Sequence, residues 1–169
     1  MAISMYQAAV PGMVRMMTSL QKILDKAQAM AAARKMDEAK LLDARLFPDM
    51  FPLRNQIQSV SDNAKGLAAR LAGVQPPSMP DTETTIAQLK ERLAKTVDFL
   101  KSLDPAKFDG AESRMIDIPV GGGRTVQATG LDYMNNGGLP NFYFHATTAY
   151  DILRHCGLEV GKGDYLGNR

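Results

Sequence analysis

The sequence predicts an all-α protein, a four-helix bundle with a small β-hairpin between its third and fourth helices. Three observations lead there. Apolar residues recur at spacings of three and four along four separate stretches, and that spacing gathers each set on one helical face. The connections between these stretches are of moderate length, as in a bundle. Residues 111–128 change character, with strand-forming residues on either side of a run of glycines.

The first helix is predicted over residues 4–33, with Tyr6, Val10, Met13, Met17, Leu20, Leu24, Ala27 and Ala31 as its seam. Pro11 lies too deep for a first turn and lacks a backbone donor, so it predicts a kink or a late start. Met13, Met16, Met17 and Met30 give this helix an adaptable apolar face suited to core filling. A short helix follows near residues 36–42. Leu46-Phe47-Pro48-Asp49-Met50-Phe51-Pro52 then brings large apolar groups together between two prolines, a connection expected to be ordered by burial. Pro52 suits the first turn of the second helix, where its missing N–H costs nothing.

The second helix reads 52–71 on Leu53, Ile57, Val60, Ala64, Leu67 and Leu71, with Asn55, Gln56, Gln58 and Asn63 as an amide-rich flank and Gly73 as the stop. Residues 75–80 form a stiff proline turn, and Asp81 or Thr82 is the expected cap of the third helix. That helix carries Ile86, Leu89, Leu93, Val97, Leu100 and Leu103, and ends before Asp104-Pro105. The hairpin places Met115, Ile116, Ile118 and Val120 before Gly121-Gly122-Gly123 and Thr125, Val126 and Ala128 after it. No helix with Lys-Ser/Thr follows those glycines, so they read as a turn rather than a phosphate cradle. Thr129-Gly130-Leu131-Asp132 has the form of a capping box. Asn135-Asn136-Gly137-Gly138 then interrupts the pattern, which implies two helices or one badly kinked helix. The last seam is Leu139, Phe142, Ala146, Ala149, Tyr150 and Leu153, stopped by Gly157. In the tail, Leu158, Val160, Tyr165 and Leu166 are available to pack back.

The totals exclude several function classes. A chain of 169 residues fits one domain, spanning 1–169, and is long enough to bury a core. Twenty basic against 18 acidic residues give a net charge of +2 with no basic block, which argues against nucleic acid as a partner. A lone cysteine, Cys156, cannot form an internal disulfide, so the cytoplasm is the expected compartment. The opening Met1-Ala2-Ile3-Ser4-Met5-Tyr6 has no basic region of the kind that begins a signal peptide, and no apolar run approaches the length of a membrane span.

Both histidines fall in the last helical run. His145 borders its seam, so its two readings are a half-buried histidine bonded to an amide or backbone group, and a metal ligand or general base. One turn away on either side stand Asn141 and Ala149 rather than a second imidazole, and His155 is too far along to share an ion. Cys156 sits at the helix C-terminus, where the dipole raises rather than lowers a thiol pKa, so packing is its expected role. Asp49, Arg54 and Arg154 are charged groups near helix ends that could form ion pairs. No serine sits on a glycine elbow. With an adaptable Met and aromatic interior and no assembled triad, the candidate small-molecule pocket is Met50, Phe51, Gln56, His145 and Tyr150.

Several stretches resemble a domain-of-unknown-function family of the DinB-like superfamily: Ser4-Met5-Tyr6-Gln7, Ala44-Arg45-Leu46-Phe47-Pro48-Asp49-Met50-Phe51-Pro52-Leu53, Asp81-Thr82-Glu83-Thr84-Thr85, Thr129-Gly130-Leu131-Asp132-Tyr133, and the run from Leu139 to Tyr150. The resemblance implies an up-down-down-up bundle and a homodimer. Met16 and Ile23, which widen the apolar face of the first helix, agree with self-association. Better-studied DinB-like proteins hold a divalent metal with one histidine from the second helix and two, four apart, on the last, and some are thiol transferases or hydrolases. His145 matches one of those ligands. Its partner four residues on is Ala149, and the second helix offers only Asn55 and Gln56. The sequence therefore specifies no cofactor with certainty, a divalent metal at His145 being the candidate. The leading functional reading is a non-catalytic or small-molecule-binding bundle with a vestigial or absent metal site. The alternative is a metal-dependent thiol transferase or hydrolase with a non-standard ligand set around His145.

Overall fold

A computed structural model of the chain describes residues 3–120 and 122–168. Four long helices form the bundle: α1 (Met5–Ala33), α3 (Leu53–Ala72), α4 (Ile86–Ser102) and α6 (Leu139–His155). Short helices α2 (Glu38–Leu42), α5 (Gly130–Tyr133) and α7 (Lys162–Tyr165) and a 3-10 turn, Pro105–Phe108, occupy the connections. Strands β1 (Met115–Pro119) and β2 (Thr125–Thr129) pair antiparallel, Met115 opposite Thr129 and Pro119 opposite Thr125. This is the hairpin that the sequence places between its third and fourth seams. Gly122 and Gly123 turn with positive φ (59° and 71°), which favours glycine; Gly121, the first glycine of the expected loop, lies outside the described residues.

Each of α1 and α3 packs against both α4 and α6, so consecutive long helices α1 and α3 sit diagonally. Cross-helix contacts give the directions. Gly12 lies near Tyr143 and Arg34 near Gly157, so α1 and α6 run parallel. Gln56 meets His145 while Asn63 meets Asn141, so α3 opposes α6. The segment between α3 and α4 returns along the bundle: the Met79 sulfur takes hydroxyl contacts from Ser61 and Thr96, Glu83 accepts from Gln58, and the Ile86 amide donates to Glu38. Helices α3 and α4 thus point the same way, the up-down-down-up arrangement. The core is aliphatic, with Met13, Met17, Leu20, Leu24, Leu53, Ile57, Leu67, Leu93, Phe108 and Phe142 buried inside it.

Several local expectations are corrected. Helix α1 does not start late at Pro11. Ser4 and Gln7 close a reciprocal capping box, the helix continues through the proline, and Pro11 is exposed, so water can serve the Gln7 carbonyl left without a donor. Pro52 is the N-cap of α3 rather than a first-turn residue. Thr85, not Asp81 or Thr82, caps α4, because its hydroxyl accepts the Gln88 amide while the Gln88 side chain reaches back to Thr85. The 46–51 connection is not ordered by burial, since Leu46, Phe47 and Phe51 are exposed. Hydrogen bonds hold it instead: Arg45 Nη1 donates to the Met50 carbonyl at 2.5 Å, and the Leu53 amide to the Ala44 carbonyl at 2.9 Å. Of the charged groups noted near helix ends, Arg54 pairs with Asp43.

Of the two alternatives at residues 135–138, two helices or one kinked helix, the chain takes the continuous path. Thr129 caps α5 as the capping-box reading required, with its hydroxyl accepting the Asp132 amide. The chain then passes through one π-helical turn, Met134–Gly138, directly into α6. A β-carbon on Gly138 would come within 2.6 Å of the Leu67 side chain, so glycine lets this turn lie against α3. In the tail, Leu158 and Val160 are buried and Tyr165 packs on the core, but Leu166 is exposed. Arg15 ties the tail down, donating to the Leu166 carbonyl at 2.6 and 2.9 Å. Met16 and Ile23 are buried in the chain's own core and offer no open face for a partner.

Candidate functional site

Three cross-helix hydrogen bonds line one edge of the α3–α6 packing. On α3 the donors and acceptors fall at positions 56, 63 and 70, a seven-residue spacing that keeps them on one face. His145 Nδ1 lies 2.7 Å from Gln56 Oε1, Asn141 Nδ2 donates to Asn63 Oδ1 at 2.8 Å, and Arg70 Nη1 donates to the Tyr133 hydroxyl at 3.1 Å. Beside the second and third of these pairs, a cleft of about 840 Å³ opens between α3, β1 and the π-turn, bordered by Asp62, Asn63, Arg70, Ile118, Pro119, Tyr133, Asn136, Asn141 and Phe144.

At one end of this edge the geometry assigns the proton on His145. The Gln56 side chain is 1% exposed and its Nε2 donates to the Phe51 carbonyl at 3.0 Å. Its amide oxygen must then face His145, and an acceptor there requires the imidazole to carry its proton on Nδ1. The Nε2 lone pair is left available. Burial pushes the His145 pKa below its ordinary 6.5, so the ring is neutral near pH 7. Phe51 stacks beside it, with ring centroids 6.4 Å apart at 15°, and Phe144 meets it edge-on at 5.2 Å. Both phenylalanines are exposed, whereas His145 is half-buried. The arrangement is a neutral imidazole, held by one nitrogen and flanked by two aromatic rings.

These residues do not fit a three-histidine metal centre. Nε2 of His145 is a competent donor, but the Gln56 oxygen is occupied by Nδ1, the Asn141 amide is bonded to Asn63, and position 149 is a buried alanine. Among the described residues, no group of three or more His, Cys, Asp or Glu stands close enough to hold an ion.

Of the five residues expected to line the pocket, the structure brings Phe51, Gln56 and His145 together. Met50 is half-buried in the same connection, its carbonyl accepting from Arg45. Tyr150 lies elsewhere: it packs edge-on against Tyr165 at 5.7 Å and borders a small cavity with Thr147, Asp151 and Lys162. It stands five residues beyond His145 on α6, a spacing that carries it off the His145 face and onto the tail. Burial raises the Cys156 pKa, in keeping with a packing role. Sequence reasoning missed Asn63–Asn141 and Arg70–Tyr133 as pairs, although the amide-rich flank and the spacing 56, 63, 70 were the available signal. It also missed Arg92, 3% exposed between α3 and α4, which pairs with Asp62 at 2.7 Å, Asp81 at 3.0 Å and Glu83 at 2.9 Å. Burial opposes the charge on Glu83, but hydrogen bonds from Gln58 and Arg92 outweigh it and hold the carboxyl below 4.5. This network clamps the returning 74–85 segment to the bundle.

The family model described as "Domain of unknown function (DUF1993)" matches residues 5–166. Among solved structures, the crystal structure of a DinB family member protein from Shewanella denitrificans is 41% identical to this chain, with a TM-score of 0.88 over 96% of this chain and 91% of that one. No curated protein matches.

Proposed function

The chain belongs to the DUF1993 family and to the DinB family of bundles, and from that premise we propose that it is a small-molecule-binding protein in which a His145–Gln56 pair stands where its relatives' superfamily places metal ligands. The observation that carries this reading is the 2.7 Å bond between His145 Nδ1 and Gln56 Oε1, with the Gln56 amide nitrogen fixed by the Phe51 carbonyl. The pair presents Nε2 as a neutral acceptor between Phe51 and Phe144. A ligand with a hydroxyl or N–H group can donate to Nε2 while its apolar part lies against the rings, the usual division of labour in a ligand site. The neighbouring cleft provides room for the rest of the molecule.

Native mass spectrometry on protein purified without denaturation tests this. The expected result is an organic adduct above the 18.4 kDa chain, with lower occupancy in His145→Ala. A bare chain under gentle conditions, or an adduct whose occupancy is unchanged in that variant, would contradict it.

A further inference from the structure

We propose that the cleft between β1, α3 and the π-turn is a carboxylate-binding site in which Arg70 holds the anion and the apolar wall holds an organic body; this rests on the reading of the protein as a small-molecule binder and adds the ligand's chemical class. Arg70 is half-buried and its guanidinium makes one hydrogen bond, Nη1 to the Tyr133 hydroxyl at 3.1 Å, with Cζ 5.8 Å from the centre of the same ring. No carboxylate lies within ion-pairing distance of it among the described residues. The one acidic side chain bordering the cleft, Asp62, is already committed to Lys65 at 2.6 Å and Arg92 at 2.7 Å. The backbone makes room for this arrangement. A β-carbon at Gly66 would fall 2.6 Å from Arg70 Nη1, so glycine there lets the guanidinium fold back along α3.

The chemistry of the site selects the ligand. A guanidinium anchored through one nitrogen to a phenol keeps its remaining N–H donors for a planar, two-oxygen acceptor. A monoanionic carboxylate matches the single cation bordering the cleft among the described residues, whereas a dianion such as phosphate would leave one charge without a partner. Ile118, Pro119 and Phe144 supply apolar walls, which match a hydrocarbon or aromatic body rather than a bare inorganic ion.

Titration of the full-length protein with benzoate, followed by amide NMR and compared with neutral benzamide, tests the inference. Benzoate is expected to shift resonances around Arg70, Tyr133 and Asn141. Arg70→Gln, with its fold checked from the same spectra, should weaken binding at least about tenfold, the loss expected when a charge-assisted pair is removed. Tyr133→Phe, which keeps the charge but removes the anchor, should weaken it less. Undiminished benzoate binding in Arg70→Gln, or shifts centred away from the cleft, would overturn the proposal. An equal response to benzamide would overturn the carboxylate assignment and leave the small-molecule reading standing. Silence towards both probes at millimolar concentration would also overturn it, and the co-purified adduct would then judge the broader reading alone.

Discussion

Replacing Gln56 by leucine removes the group on which the His145 geometry depends. The side chain is 1% exposed and makes two hydrogen bonds, at 2.7 Å to His145 Nδ1 and 3.0 Å to the Phe51 carbonyl. Each contributes about 0.5–1.5 kcal/mol net, and the groups left behind add a desolvation cost if water cannot reach them. His145 is half-buried and Phe51 exposed, so water recovers part of that cost, and leucine recovers a little more through its apolar carbons. A net destabilisation of about 1–2 kcal/mol follows, or roughly 2–8 °C in Tm for a chain of this size. Thermal melts followed by circular dichroism measure it, and a cycle with His145→Ala isolates the pairwise part, expected at about 0.5–1.5 kcal/mol. Gln56→Leu as stable as the native protein, or a coupling within about 0.3 kcal/mol of zero, would refute the bond and the proton assignment drawn from it.

Burial lowers the folded-state pKa of His145 below the 6.5 of the unfolded chain. Between those two values the unfolded state binds more protons, so the His145 contribution to stability rises with pH through that window and is level above about 6.5; the acid-side loss of Tm should be smaller in His145→Ala. Gly130→Ala places a β-carbon 2.0 Å from the Ala111 carbonyl oxygen, a backbone atom that cannot swing away. It should cost about 1–3 kcal/mol in denaturant melts, whereas Gly161→Ala, with nothing within 4 Å of the added carbon, should cost much less. A homodimer, which the family resemblance implies, cannot use the buried Met16 and Ile23. Light scattering should give twice the 18.4 kDa chain mass, and a monomer mass would contradict it.

Helical periodicity made most of the fold legible. The seams on Leu53–Leu71 and Ile86–Leu100 are buried as their spacing required, because side-chain spacing and helix geometry are the same fact. Proline and glycine left alternatives open that their local tendency could not decide. Pro11 is carried inside α1 because the Ser4–Gln7 box nucleates the helix ahead of it, and Asn135–Gly138 winds into a π-turn because Gly138 can lie against Leu67. The 46–51 loop looked buried by composition, yet composition carries no direction, and its large side chains face outward. The site was half legible. His145 and Gln56 were each visible as polar residues beside a seam, and the bundle direction that joins them came with the fold class. Tyr150 shared the helix of His145 but five residues turn a helix well past one face. The Arg70 cleft needed the hairpin and the π-turn in place, and neither's position is written in periodicity.

The central claim is that His145 serves an organic ligand and not a metal ion. Metal analysis of the purified protein after loading with zinc and exhaustive dialysis tests it most directly. No stoichiometric retention is expected, with a metal content the same in the native chain and in His145→Ala. One equivalent of zinc kept by the native chain and lost in that variant would contradict it, and would return the protein to the metal-dependent members of its superfamily.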